Sequence, residues 1–332
     1  MFCRVVVLLV SGLLVMPLVA SPPADAPQRP SSDEHTLPRP DELPVIAEYH
    51  YRLSGSARPF LFWITRDNVG SGRMTWRRSG NGTLAFELLM GSDPERAPFK
   101  ANRWGYIREV VRGDSAELVA VKTDTEEESI DEAKASVNQP ARDRALTFIR
   151  EDVSPREARA ASAVVDVGRA ATYRDLDFVL DRMSSIREWQ ERVRTRPLST
   201  RPGFLVALTE LMQSGVDTWN SAPNGSFRYG SHTVLFIHRA LPYELRQSDV
   251  EVLRDTTLGG QRHAHLLHGA FRIRNPSTNY QSHFSVTYGV DNGIAAVPVR
   301  ITYQPRWWLR TQLTLEPPAS AVRTPEQPVQ QP

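Results

Sequence analysis

Cysteine is almost absent from this sequence. Its 332 residues include one cysteine, Cys3, and this residue lies in an N-terminal apolar segment that we expect to be removed. Disulfide frameworks, thiolate nucleophiles and cysteine-based zinc sites are therefore excluded from the mature chain. An exported chain of this length without disulfides must be held together by an ordinary hydrophobic core.

Lysine is scarce, and neither sign of charge is in large excess. Lys100, Lys122 and Lys134 are the only lysines among 40 basic residues, and the formal net charge is +2. No block of basic residues could follow a phosphate backbone, so nucleic-acid binding is disfavoured.

Familiar catalytic motifs are also missing. The sequence has no Gly-x-Ser-x-Gly elbow, Walker loop, dinucleotide fingerprint or His-Glu-x-x-His zinc motif. The acidic run at 124–132 lacks the spacing and the glycine of an EF-hand loop, and it suits a helix N-terminus better. These absences favour a protein that is not an enzyme, and we expect no cofactor.

The one long apolar run is at the N-terminus. Arg4 precedes apolar residues 5–19, and Ala20 offers a small residue for cleavage before Ser21. The pattern predicts a secretory signal peptide at 1–20, and hence an exported, periplasmic or extracellular bacterial protein. The run is shorter than the roughly 20 apolar residues of a membrane span, so no transmembrane segment is expected after cleavage.

Composition divides the rest of the chain. Residues 21–43 and 317–332 are rich in proline and polar residues, which predicts a disordered linker and tail. Between them we expect an N-terminal β block at 44–124, a helical segment at 125–222 and a C-terminal β block at 223–316.

The N-terminal β block contains the clearest hairpin, "GRMTWRRSGNGTLAFELLM", in which Asn81-Gly82 suits a tight primed turn. Gly113-Asp114 marks another turn. Consecutive strands without a helix between them predict an antiparallel meander, which is curved around a core or partly closed into a barrel.

Helical spacing marks the middle segment. Leu176, Leu180 and Met183 recur at steps of three and four residues after a start at Thr172, and Pro202 opens a second stripe, "GFLVALTELMQSGVDTW". Capping-box spacing before "SIDEAKASV" predicts a further helix. The fold class is therefore α+β, with two antiparallel β blocks flanking a helical segment. Whether the two blocks share one sheet stays open.

A histidine cluster is the strongest candidate for a metal site. In "LGGQRHAHLLHGAF", His263 and His265 share one face of a strand. A three-residue turn at the preceding glycines would place Asp255 opposite His263 as a third ligand, whereas a two-residue turn places Arg254 beside the pair. Structural histidines are favoured, because two-residue Gly-Gly turns are more common. His238 is also predicted to be an ordinary sheet residue.

Aromatic residues give the best candidates for ligand binding. Trp63, Trp76, Phe86, Trp104 and Tyr106 cluster in the N-terminal β block. Tryptophan and tyrosine can line an apolar pocket or stack on sugars, although such residues are more often part of a core.

The C-terminal strands resemble a known family in outline. The stretch "FSVTYGVDNGIAAVPVRITYQPRWWLRTQLTL", within 248–316, is similar to the end of a family of secreted bacterial β-rich proteins of unknown function. The resemblance implies a curved antiparallel sheet in the cell envelope and brings no catalytic residues with it.

Two functions follow as hypotheses. The first is a non-catalytic envelope protein that binds an apolar, lipid-like ligand or a protein partner through an aromatic-lined sheet. The alternative is a metal-dependent envelope hydrolase that uses His263 and His265, with Asp255 beside them.

Overall fold

The computed structural model describes residues 43–58, 62–97, 101–123, 144–197, 199–222, 227–278, 280–291, 293–307 and 309–317. The predicted signal peptide, nearly all of the predicted linker and tail, and the helix expected within 125–143 lie outside these residues. Neither helix of the described part has the length and apolarity needed to cross a membrane.

Strands dominate the described residues, with two α-helices between them. The strands are β1 (Val45–Ala57), β2 (Ile64–Arg78), β3 (Leu84–Ser92), β4 (Trp104–Arg112), β5 (Ser115–Thr123), β6 (Ala145–Val153), β7 (Glu157–Asp166), β8 (Gln190–Thr195), β9 (Thr200–Arg201), β10 (His232–His238), β11 (Leu241–Leu258), β12 (Gln261–Asn275), β13 (Tyr280–Gly289), β14 (Pro298–Arg306) and β15 (Leu309–Leu315). The helices are α1 (Leu176–Ser184), which follows a 3-10 turn at Tyr173–Asp175, and α2 (Phe204–Ser221).

All fifteen described strands belong to one mixed sheet, in the order β8-β7-β6-β5-β4-β3-β2-β1-β15-β14-β13-β12-β11-β10-β9. Neighbours are antiparallel except β9 and β10, which are parallel. The two β blocks meet where β1 pairs with β15, with Tyr51 opposite Leu315 and Ala57 opposite Leu309. The blocks therefore share one sheet, which answers the question that the sequence left open.

The sheet curls so that its two ends approach each other. Its edge strands β8 and β9 are separated in the chain by residues 196–199 alone, which can span at most about 17 Å. Near the ends, the side chains of Glu151 on β6 and His238 on β10 touch at 2.9 Å. The sheet therefore has an enclosed inner face and an outer face.

The helices cover opposite faces of this sheet. On the inner face, α2 packs Phe204 against Phe236 of β10 and Phe284 of β13, with ring centroids 5.6 and 6.3 Å apart. On the outer face, α1 buries Leu176, Val179 and Met183 in a separate outer cluster with Trp104, Tyr106, Val121, Leu146 and Phe148. The second apolar stripe of the sequence thus forms α2 as predicted, and the first forms the shorter α1.

Residues 145–166 differ from the helical segment expected there, because they form β6 and β7. Their side chains alternate between the two faces: Leu146 and Phe148 join the outer cluster, while Ile149 and Val153 face inward. Alternation with a period of two is typical of a strand. Apolar residues on both faces are typical of a strand that is covered on both faces. The sequence predicted an α+β class; the described residues are mostly β with two minor helices, so the β blocks are confirmed and the helical content is lower than expected.

The predicted hairpins form, and one has a longer turn than expected. Gly113-Asp114 is a two-residue connection, since Arg112 pairs with Ser115, and Gly113 has φ of 58°. The hairpin around Asn81-Gly82 closes between Arg78 and Leu84, so its connection has five residues. Asn81 shapes this wider turn by accepting a hydrogen bond at Oδ1 from the Thr83 amide at 3.1 Å.

Candidate functional site

A row of side chains crosses the inner face at the level where α2 begins. In register, Trp76 of β2 lies opposite Phe86 of β3, Phe86 opposite Glu109 of β4, and Glu109 opposite Leu118 of β5. The row continues from Leu118 to Glu151 of β6. Residues directly opposite in antiparallel strands point to the same face, so two aromatic rings and two carboxylates share this level of the inner face.

The aromatic end of the row is a triad of rings. Trp76 makes edge-on contacts with Tyr49 of β1 and with Phe86, at centroid distances of 5.7 and 6.1 Å. Tyr49 and Trp76 are partly exposed and pack against the large buried cluster of the inner face, to which Phe86 belongs. Burial raises the pKa of Tyr49 above its ordinary value of 10.0. We call these three residues the aromatic triad.

The next residue in the row, Glu109, is a buried acid at the N-terminus of α2. Its side chain is fully buried and accepts hydrogen bonds from the Leu205 amide at 2.9 and 3.0 Å and from the Val206 amide at 3.3 Å. Burial, with the charge of Glu151 adding to it, raises the pKa of Glu109 to about 7, although the backbone hydrogen bonds oppose this shift. The carboxyl therefore titrates near neutral pH.

At the far end of the row, Glu151 pairs with a histidine from the opposite end of the sheet. Its Oε1 lies 2.9 Å from Nδ1 of His238 and accepts from the Arg239 amide at 2.7 Å. Among the described residues, Oε2 of Glu151 and Nε2 of His238 have no hydrogen-bond partner. The ring of Tyr243 lies 5.6 Å from that of His238. The prediction that His238 is an ordinary sheet residue missed this buried pair.

The structure divides four of the five aromatic residues proposed from the sequence between the two faces of the sheet. Trp76 and Phe86 lie on the inner face, whereas Trp104 and Tyr106 lie in the outer cluster beneath α1. Trp104 is fully buried and donates from its indole nitrogen to the Ala171 carbonyl at 2.7 Å, and burial raises the pKa of Tyr106 to about 12. Trp63 stands apart, with the Arg310 guanidinium 4.8 Å above its ring.

The proposed metal ligands do not converge. The turn between β11 and β12 has two residues, Gly259 and Gly260, so Arg254 lies opposite His265 and Thr256 opposite His263. Asp255 pairs with Arg262 at 3.0 Å instead. The structure therefore does not bring together the three residues of the hydrolase alternative, His263, His265 and Asp255, because the turn length places the Arg254 guanidinium beside His265. Within the described ranges, no three potential ligands are grouped for a metal ion.

His265 has a packing role. Its ring lies 5.1 Å from that of Trp219 near the end of α2, and Trp219 in turn contacts Phe227 at 6.0 Å. His263 is largely buried on the same strand, with its Nε2 unpaired among the described residues. These contacts agree with the structural interpretation of the histidines.

The side of α2 that faces away from the sheet borders an open cleft of about 650 Å³. Polar side chains line it: Glu210, Gln213, Ser214, Asp217, Thr218 and Arg228. Arg201 of β9 binds Glu210, with Nη2 2.8 Å from Oε1. One long side of α2 therefore faces water while the other covers the inner face.

Sequence reasoning missed Tyr49, Glu109, Glu151 and His238. A signal was present for the two acids, because each occupies a position whose neighbours at a spacing of two are apolar: Ile107 and Val111 flank Glu109, and Ile149 and Val153 flank Glu151. A carboxylate on the apolar side of a strand predicts a buried, partnered acid. No sequence pattern indicated that His238 would meet Glu151.

Comparisons with known proteins give one structural likeness. No protein-family model matches the chain, and no curated protein matches it. It is similar to the crystal structure of a β-barrel-like protein of a domain of unknown function, DUF1849, from Brucella abortus, with 8% sequence identity. The match covers 82% of this chain and 95% of that chain, with a TM-score of 0.32.

Proposed function

We propose that this chain is an exported cell-envelope protein that binds without catalysis and holds an apolar, lipid-like ligand on the inner face of its sheet. The aromatic triad carries the proposal. Tyr49 and Trp76 are partly exposed at the border of a continuous apolar cluster. Apolar ligand sites combine such rings with a few polar groups, and here the Tyr49 hydroxyl supplies one.

The cellular location rests on a separate argument. The apolar N-terminal run at 5–19 supports export, and lipids and lipid-linked molecules are abundant ligands in a bacterial envelope. A protein partner on the same surface is the second form of this hypothesis. Binding of a protein would leave the purified chain free of small apolar molecules.

Two tryptophan variants test the proposal. Trp76→Ala removes the central ring of the aromatic triad, whereas Trp63→Ala removes a ring that rests on Arg310 and lies outside the triad. We expect Trp76→Ala to weaken binding of a fluorescent fatty acid about tenfold or more, because a large apolar side chain that a ligand buries contributes roughly 1.5–3 kcal/mol. Trp63→Ala should bind as wild type does.

The measurement combines titration with native mass spectrometry of residues 21–332 purified from an exporting host. Circular dichroism establishes that both variants are folded before binding is compared. Equal affinities of the two folded variants, or a wild-type chain that takes up no apolar probe, would contradict a lipid site at the aromatic triad. A bare wild-type chain would favour the protein-partner form.

A further inference from the structure

The N-terminus of α2 has no cap of its own. Gly203 occupies the N-cap position, and the first turn contains no acidic residue. The first amide groups of a helix need acceptors, and Glu109 supplies them from the sheet through its bonds to Leu205 and Val206. The approach is so close that a Cβ at Gly203 would lie 2.5 Å from Oε2 of Glu109. The start of α2 is thus attached to the sheet through an ionisable group.

The surroundings of Glu109 contain little that stabilises a negative charge apart from these amides. Its neighbours in the row, Phe86 and Leu118, are apolar. The facing titratable groups are Glu151 of β6, which is a like charge, His238 of β10, which is bound to Glu151, and Tyr243 of β11, which lies against His238. Ionised Glu109 is therefore poorly solvated while α2 is in place.

We propose that α2 is a movable cover of the inner face, which is held at its N-terminus by Glu109 and released when Glu109 ionises. The inference rests on the proposed function, because release of α2 would uncover the apolar inner face next to the aromatic triad. On its opposite side α2 borders the open cleft at Glu210 and Asp217.

The direction of the effect follows from linkage. With α2 in place, burial raises the pKa of Glu109 to about 7, and after release water returns it toward the ordinary value of 4.5. The covered state thus holds the proton more tightly. The free energy by which protonation favours the covered over the released state is therefore fully present below pH 4.5 and is lost as the pH rises through about 7. Between pH 5 and 8, we expect the equilibrium for release to rise by on the order of 10- to 100-fold.

Thiol labelling measures this release directly. The mature chain contains no cysteine, so Ala207→Cys places a single thiol on the buried side of α2. Val121→Cys places a comparable thiol in the outer cluster beneath α1 and reports unfolding of the sheet. Labelling rates are divided by those of the same variant in denaturant at the same pH, which removes the titration of the thiol itself. We expect the thiol on α2 to react at least tenfold faster than the outer one at pH 8, and to slow at pH 5.

Paired glutamate variants assign the effect to Glu109. In the Ala207→Cys background, Glu109→Gln should abolish the dependence on pH, while Glu210→Gln, on the exposed side of α2, should preserve it. If Glu109→Gln does not fold, Glu151→Gln serves instead and should shift the transition to lower pH by removing the neighbouring charge. The proposal would be overturned if both thiols were labelled at equal rates or if labelling with Glu109 intact did not depend on pH. It would also be overturned if Glu109→Gln, or Glu151→Gln in its place, left the pH profile unchanged.

Labelling needs no ligand, so the two proposals fail separately. If labelling does not depend on pH but fatty-acid binding is lost in Trp76→Ala, only the proposal of a movable cover is contradicted. If labelling depends on pH but the chain binds no apolar probe, the movable cover is supported and the lipid ligand is contradicted.

Discussion

At the scale of single residues, Arg196 connects the two ends of the sheet. It follows the edge strand β8 and is almost fully buried. Its guanidinium donates to the carbonyls of Asp114, Ser154 and Thr200 and, through Nε, to the Thr200 hydroxyl at 3.0 Å. The planar guanidinium of arginine carries five N–H donors on three nitrogens, whereas the lysine ammonium has three donors on one nitrogen and cannot span the same acceptors. Arg196 therefore ties the β4–β5 and β6–β7 turns to the start of β9.

We expect Arg196→Lys to lower the free energy of unfolding by about 2 kcal/mol or more, because buried carbonyl oxygens would lose their donors. Urea denaturation measures the loss. Arg194→Lys is the matched control, since Arg194 is exposed on the same edge strand and should tolerate the change within about 0.5 kcal/mol. Similar stabilities of the two variants would show that Arg196 does not hold the ends of the sheet together.

At the scale of elements, α2 and β13 approach each other more closely than a side chain on the helix would allow. A Cβ at Gly215 of α2 would lie 2.2 Å from the hydroxyl oxygen of Tyr288 on β13. That hydroxyl is held in place, because Nε2 of Gln247 on β11 donates to it at 2.8 Å, and Tyr288 is fully buried. A glycine that is unfavourable within an isolated helix is thus required by the sheet below it.

Gly215→Ala tests this contact against helix propensity. Propensity alone would stabilise α2 by roughly 1 kcal/mol, but we expect a net loss of about 1–3 kcal/mol, because the new methyl group collides with a fixed hydroxyl. The double variant with Tyr288→Phe should recover about 1 kcal/mol or more relative to additivity, since the ring without its oxygen leaves space for the methyl group. Thermal and urea unfolding of the four proteins completes the cycle. Additive losses would mean that the two groups do not meet.

At the scale of the whole molecule, the two β blocks are one folding unit. Side chains of both blocks contribute to the buried cluster of the inner face, among them Leu53 and Ile107 from the first block and Phe271 and Leu313 from the second. We expect a single transition in urea, with coincident midpoints by far-ultraviolet circular dichroism and tryptophan fluorescence. Two separate transitions would show that the blocks unfold independently.

Local features were predictable from the sequence where they depend on nearby residues. The apolar stripe after Pro202 predicted α2, and paired glycines predicted the two-residue turn at Gly259. The fold beyond these features depends on contacts that local patterns do not encode. Whether Trp76 or Trp104 faced inward depended on how the sheet curls, and the pair of Glu151 and His238 exists only because the ends of the sheet meet. Of the candidate site, Trp76 and Phe86 were therefore predicted, whereas Tyr49 and the buried acids were not.

The pairing of β1 with β15 has a consequence for the order in which the chain can fold. Arg52 and Glu316, which are 264 positions apart, form an ion pair of 3.3 Å across this junction. Of the described strands, β1 is synthesised first and β15 last, so β1 cannot pair with β15 until synthesis reaches β15. Until then, β1 and β14 each present an unpaired edge. Pairing over such a distance is slow and leaves strand edges open to association with other chains. Under the proposed export, the chain would emerge N-terminus first and spend this interval outside the cytoplasm, so its yield should depend on holding chaperones of the envelope more than on its final stability.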